Sequence, residues 1–176
     1  YGANYDDCDE TTNNVADKEQ YLRTIVNYYK PDILLCNEIG KTPGVVDRLL
    51  DSAFNYNGTQ DYARAEVSNV SNSISLISMV YYNKNKVGLA SQHGVETDFR
   101  DFAFHKMYFK DSDLAITGDT AFFYCISTHL KAGNTPQDVA ARKAMVDSLM
   151  KYMSTLSTPG NYILAGDFNF YTSNEP

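Results

Sequence analysis

The alternation of hydrophobic and polar positions changes period several times along the chain, and each change marks an element. Between residues 14 and 29, Tyr21, Leu22, Ile25, Val26 and Tyr29 recur at helical spacing, with Asn13 or Asn14 placed to cap the first turn. Pro31 stops this helix. The unbroken apolar run Asp32-Ile-Leu-Leu-Cys-Asn37 then reads as a buried central strand. A second helix is predicted after it, with Thr42 as cap and Pro43 in the first turn. Val45, Val46, Leu49, Leu50 and Phe54 give that helix its apolar face.

From residue 55 to 118 the texture becomes β-rich. Tyr62–Val67, Ile74–Tyr82, Lys86–Ser91 and Phe102–Phe109 alternate, and Asn83-Lys-Asn85 supplies a turn, which predicts an antiparallel meander. Ala121 to Thr128 reads as another central strand. Thr135-Pro136-Gln137-Asp138 opens a helix with Thr as cap, Pro in the first turn and an acid three residues on. That helix runs to about Tyr152 and buries Val139, Met145, Val146 and Leu149. Residues 161–166 form a last buried strand. There is no repeat, low-complexity stretch or linker, so residues 1–176 are expected to form one domain. The order of elements suits a mixed α/β (α+β) stack of sheets with helices outside.

Composition narrows the classes of function. A hydrophobic content of 43% is enough for a packed core. No apolar run approaches the roughly 18 residues of a membrane span. A net charge of −7 excludes indiscriminate nucleic-acid binding, which needs a basic face. It leaves a nuclease open, because bound divalent cations supply positive charge locally. Asp6, Asp7, Asp9 and Glu10 cluster as a solvated loop or a calcium-binding loop. Of the three cysteines, Cys36 and Cys125 lie in apolar runs and read as small buried thiols, while Cys8 falls in the acidic cluster. The chain opens at Tyr1 without a methionine, as a processed or trimmed chain would. No protein partner is identifiable.

Three polar groups follow directly on apolar runs: Glu38 after residues 33–37, His129 after 124–128, and Asp167 with Asn169 after 162–166. Attack on a phosphodiester needs a hard cation held by carboxylate oxygen, an oriented and deprotonated water, and donors for the charge growing on phosphorus. Glu38 suits the first task, Asp167 the second, and Asn169 with His129 the third. Gly166-Asp-Phe-Asn169 taken alone is equally a turn. The conjunction of the three strand ends points to a metal-assisted phosphoester hydrolase.

These blocks resemble a known family. Pro31 to Glu38 is similar to the "PDIl.lqE" block of the endonuclease/exonuclease/phosphatase superfamily, Ser127-Thr-His-Leu130 to its "tHl" block, and Gly166-Asp-Phe-Asn169 to its "GDFN" block. The resemblance covers about residues 20–176. It implies the four-layer α/β/β/α sandwich of the DNase I-like type and hydrolysis of phosphoesters, most readily a nuclease-like phosphodiesterase using in-line attack by water. It also implies Mg²⁺ or Mn²⁺ as cofactor, with Glu38 as metal ligand. Asp167 would orient or deprotonate the water, Asn169 would contact the scissile phosphate, and His129 would stabilise charge or donate a proton. Arg100 would reach substrate phosphate, Lys131 would do so or stay solvated, and Arg142 would brace the structure. Nucleic acid is the favoured substrate. A lipid or sugar phosphoesterase, or a non-catalytic binding module on the same scaffold, are the alternatives.

The family's first strand would lie before Tyr1, and its closing Asp and His beyond Pro176, so a longer protein is expected. Residues 73–78 offer no carboxylate to partner the active-site histidine. The Tyr- and Asn-rich acidic composition resembles that of secreted or periplasmic bacterial members.

Overall fold

In the computed structural model of the chain, Tyr1 and residues 14–41, 43–67, 76–156, 160–173 and 175 are described. The acidic cluster, Cys8, Thr42 and Ser73 lie outside them. Helix α1 spans Val15–Tyr29. Asn14 caps it by accepting from the Ala16 and Asp17 amides, and Lys30 ends it in the left-handed conformation. Its inward face is not the one the tyrosines suggested. Val26 and Glu19 are buried and Leu22 packs with them, while Tyr21, Ile25 and Tyr29 face outward. Glu19 can sit inside because Arg48 pairs with it at 2.6 Å and the Tyr1 hydroxyl donates to it.

Strand β1 (Ile33–Gly40) is followed by α2 (Pro43–Leu49), a wide helical turn at Leu50–Phe54, and the short β2 (Tyr62–Arg64). Next come β3 (Leu76–Asn83), β4 (Val87–Val95), β5 (Phe102–Phe109) and a one-turn α3 (Leu114–Thr117). The chain closes with β6 (Phe122–His129), α4 (Pro136–Met153) and β7 (Asn161–Asp167). The reciprocal cap that opens α4 forms as expected, between Thr135 and Asp138.

The strands make two sheets, in the orders β1-β3-β2 and β4-β5-β6-β7. The expected single meander is therefore wrong. The Asn83–Lys86 turn carries the chain from one sheet to the other instead of closing a hairpin. Alternation records which face of a strand is apolar, and says nothing of which sheet the strand joins. A second correction concerns position. β1 and β7 each lie at the end of their sheet's order, β1 with mostly part-buried residues and β7 with largely exposed ones, whereas β6 is central as expected. Ile163 and Leu164 are 50% and 43% exposed, so the last strand is not buried.

Three apolar clusters fill three layers. Ile77, Met79 and Tyr81 of β3 pack with Val26, Val46, Leu49 and Phe54 beneath α1 and α2. Phe102, Phe104 and Ile126 pack with Met145 and Leu149 of α4. Val80, Val87, Met107, Phe123 and Cys125 fill the space between the sheets. The result is helices, sheet, sheet and helix, the four-layer sandwich.

His105 lies in the middle strand pair of the second sheet, 1% exposed, with Nδ1 lacking a hydrogen-bond partner among the described residues. Burial pushes its pKa down to about 4, against hydrogen bonds with the Cys125 and Ala103 backbone that raise it. An unfolded chain takes up the proton below about pH 6.5, and the folded chain does so only near pH 4. Stability is thus fully present above pH 6.5 and is lost as pH falls through this window. The expected loss is about 3 kcal/mol by pH 4. Denaturant melts of His105→Leu should show a flatter stability profile between pH 6.5 and 4 than the wild type; parallel profiles would refute this role.

Candidate active site

Pairing of β1 with β3 shifts register between Cys36 and Ile39. Such a bulge re-aims side chains. Within it Glu38 takes φ 59°, a left-handed backbone uncommon for a residue with a β-carbon, and its carboxylate is 62% exposed. At the end of β6 stands His129, in parallel register with Asp167 at the end of β7. The His129 Nε2 lies 3.7 Å from Glu38 Oε1 and 3.9 Å from Asp167 Oδ2. One imidazole thus stands between two carboxylates that come from different sheets. Both separations are longer than a hydrogen bond, so neither carboxylate is tied to the ring.

The imidazole is 4% exposed and the Asp167 carboxylate 53%. Burial lowers the pKa of His129 and the nearby Arg100 cation lowers it further, while Glu38 and Asp167 pull it up. The ring is neutral at neutral pH and keeps one donor and one acceptor nitrogen.

The Leu130 peptide clamps the loop that follows β7. Its N–H donates to the Asp167 carbonyl at 2.9 Å, and its carbonyl accepts from Asn169 Nδ2 at 3.1 Å and Arg100 Nη1 at 3.2 Å. The Asn169 N–H donates to Asp167 Oδ1 at 2.9 Å, with Asn169 also left-handed at φ 49°. A carboxamide nitrogen carries two hydrogens, so Asn169 can donate once more. Left-handed backbone at Glu38 and at Asn169 is of the kind that clusters at functional sites.

Glu38, His129, Asp167, Asn169 and Arg100 are therefore brought to one end of the sandwich. Lys131 is directed elsewhere. Its ammonium donates to the Ala132 carbonyl at 2.6 Å and pairs with Asp138 at 2.8 Å, and this pair, with Thr135, holds the Asp138 carboxyl at about 2. Arg142 is fully buried. It donates to the Lys131 and Gly133 carbonyls and pairs with Glu175, bracing the loop between β6 and α4.

Sequence reasoning missed Asn37. Its side chain reaches across to the second sheet, donating to the Thr128 carbonyl at 2.9 Å and accepting from Ser78 at 2.8 Å and Ser127 at 3.2 Å. The signal available was a carboxamide ending an otherwise apolar run. Gly166 lies against it at φ 143°. A β-carbon there would overlap the Thr128 carbonyl oxygen and crowd Asn37 Nδ2.

Among the described residues, no group of three or more His, Cys, Asp and Glu side chains is arranged to hold a metal ion unaided. The donor set nevertheless fits a hard cation. Mg²⁺ is bound through one or two carboxylates, with waters and substrate phosphate completing its shell, and Glu38 and Asp167 are exposed oxygen donors.

The family model for the Endonuclease/Exonuclease/phosphatase family matches residues 8–175. No curated protein matches the chain. Among solved structures, D. rerio TDP2 complexed with single-strand DNA product superposes with a TM-score of 0.63 at 17% identity, over 92% of this chain and 57% of that one. A conserved protein of unknown function from Enterococcus faecalis V583 gives 0.68 at 14%, over 95% and 64%. The human Nocturnin catalytic domain with bound sulfate gives 0.57 at 17%, over 90% and 59%. The chain thus spans about three fifths of the length of the structures it matches, and shares their fold. The family match over nearly the whole sequence, on a four-layer sandwich whose strands bring Glu38, His129 and Asp167 together, shows that this chain belongs to the endonuclease/exonuclease/phosphatase family.

Proposed function

We propose that the protein is a divalent-metal-dependent hydrolase of phosphoester bonds that acts on nucleic-acid phosphodiesters. The observation that carries this reading is the His129 imidazole held between the Glu38 and Asp167 carboxylates, each within 4 Å. Family membership supports hydrolysis of a phosphoester, and the DNA product on D. rerio TDP2 favours nucleic acid.

Mg²⁺ or Mn²⁺, when bound through Glu38, supplies a Lewis acid for a phosphoryl oxygen. Asp167 orients a water molecule and accepts its proton. The Asn169 carboxamide, fixed by Leu130, donates its second hydrogen to a phosphoryl oxygen. His129, neutral and largely desolvated, donates to the charge that builds up on the phosphorane or the leaving oxygen. Arg100 holds a substrate phosphate from the same edge. A role for Lys131 on substrate requires release of its pair with Asp138.

Metal-dependent nicking of supercoiled plasmid and cleavage of a single-stranded oligonucleotide test the reading, with Glu38→Gln as control. Cleavage in Mg²⁺ or Mn²⁺ that is lost with chelator and in Glu38→Gln is the expected result. Hydrolysis of sphingomyelin or an inositol phosphate without nucleic-acid cleavage would move the substrate class. Neither metal binding nor hydrolysis would leave a binding module on the same scaffold.

A further inference from the structure

We infer that Asn37 is a positioning residue that fixes Glu38 of the first sheet against His129 and Asp167 of the second. This rests on the reading of Glu38 as the metal-holding carboxylate. The geometry of the strands puts Asn37 in that role. On β1, Ile33 and Leu35 pack into the layer between the sheets, and Asn37 continues the same two-residue period. Ser78 and Ser127 continue it on β3 and β6, beyond Val80 and Cys125. Three polar side chains therefore replace the apolar filling at the one end of the layer where the site opens.

They satisfy one another. The carboxamide oxygen accepts from both hydroxyls and the nitrogen donates to Thr128, whose carbonyl has no hydrogen to offer. The amide has one sensible orientation, because a flip would set its oxygen against that carbonyl. Ser127 and Thr128 are both 0% exposed, so the ends of these bonds on the second sheet are sheltered from water. No apolar residue of similar size can replace them without leaving two hydroxyls and a carbonyl unmet.

The link matters because of what surrounds it. Asn37 and Glu38 together form the bulge, so tying Asn37 to the Thr128 carbonyl ties the Glu38 backbone to the peptide just before His129. On the far side, Gly166 leaves room for the Asn37 amide, and its neighbour is Asp167. One side chain thereby sets the gap between carboxylates that belong to separate sheets. A left-handed Glu38 without that tie has cheaper backbone conformations to relax into.

The test is Mn²⁺ affinity of the chain, by electron paramagnetic resonance or calorimetry, with kcat, KM and melting temperature measured alongside. Outer-shell partners of metal ligands typically contribute about 10- to 100-fold in affinity. Asn37→Ala is expected to weaken Mn²⁺ binding by about that factor and to lower kcat more than it raises KM. Ser78→Ala, which removes one of the three bonds, should weaken Mn²⁺ binding severalfold. Tyr81→Phe removes a buried bond from β3 to the Val46 carbonyl of α2, outside the bulge. It should lower the melting temperature and leave Mn²⁺ affinity unchanged.

If Glu38→Gln abolishes binding while Asn37→Ala binds like wild type, the positioning role is overturned and the metal reading stands. If wild type binds no Mn²⁺, or Glu38→Gln binds as tightly, both fall together. Equal weakening in Tyr81→Phe would show general loosening and also overturn the role. Should Asn37→Ala not fold, Ser78→Ala decides by the same criterion.

Discussion

Asp167→Asn is expected to reduce metal-dependent phosphodiester hydrolysis by about 10²- to 10⁴-fold, the usual contribution of a general base. Its melting temperature should move by less than about 2 °C. The two effects separate because of where Asp167 sits. The carboxylate is 53% exposed, and its short bond among the described residues accepts the Asn169 N–H, a task the amide oxygen of asparagine can also perform. The fold of the loop therefore survives the change. What disappears is the charge and basicity facing His129. Rates on a nicked-plasmid or oligonucleotide assay, with thermal melts on the same preparation, check both halves. Wild-type activity in this variant would remove Asp167 from the chemistry.

Gly166→Ala should have the opposite character, damaging the fold and the site together. At φ 143° an L-residue is strained, and the added methyl has no space because the Thr128 carbonyl oxygen occupies it. β7 would have to move away from β6 at the point where Thr128 faces Gly166 in register. Strain and overpacking together predict a loss on the order of 3 kcal/mol, or about 6–12 °C in melting temperature for a chain of this size. Asp167 would be carried away from His129, so activity should fall even at temperatures where the protein stays folded. A melting temperature within about 1 °C of wild type would show that β7 tolerates the methyl and would weaken the case for a rigid strand end.

Much of this was legible in the sequence, for physical reasons that can be named. The cap at Thr135 and Asp138 is local, encoded within four residues, and it forms as read. His129 and Asp167 end their strands as read, whereas Glu38 sits in a bulge two residues before β1 ends, with Ile39 buried beyond it. Information that depends on distant partners was not legible. Glu19 could not be read as buried because its acceptance depends on Arg48 and Tyr1. The split of the β-rich middle between two sheets depends on long-range pairing, and so does the exposed position of β7. Asn37 looked like the end of a strand because its partners lie 41, 90 and 91 residues away. Lys131 looked available until Asp138 was found opposite it.

The division between sheets also implies an order of assembly. Among the described residues, the strands of the first sheet come from residues 33–83 and those of the second from residues 87–167. Each half, with its own helices and its own apolar cluster, can therefore organise from contacts close in sequence, which form early. The remaining step is the meeting of the two halves, which seals the layer between them and first brings Glu38 within reach of His129. A chain with both halves formed but not yet docked would have nearly all its secondary structure and no catalytic constellation. Recovery of activity on refolding should therefore lag behind recovery of helical and strand signal, because the site belongs to neither half alone.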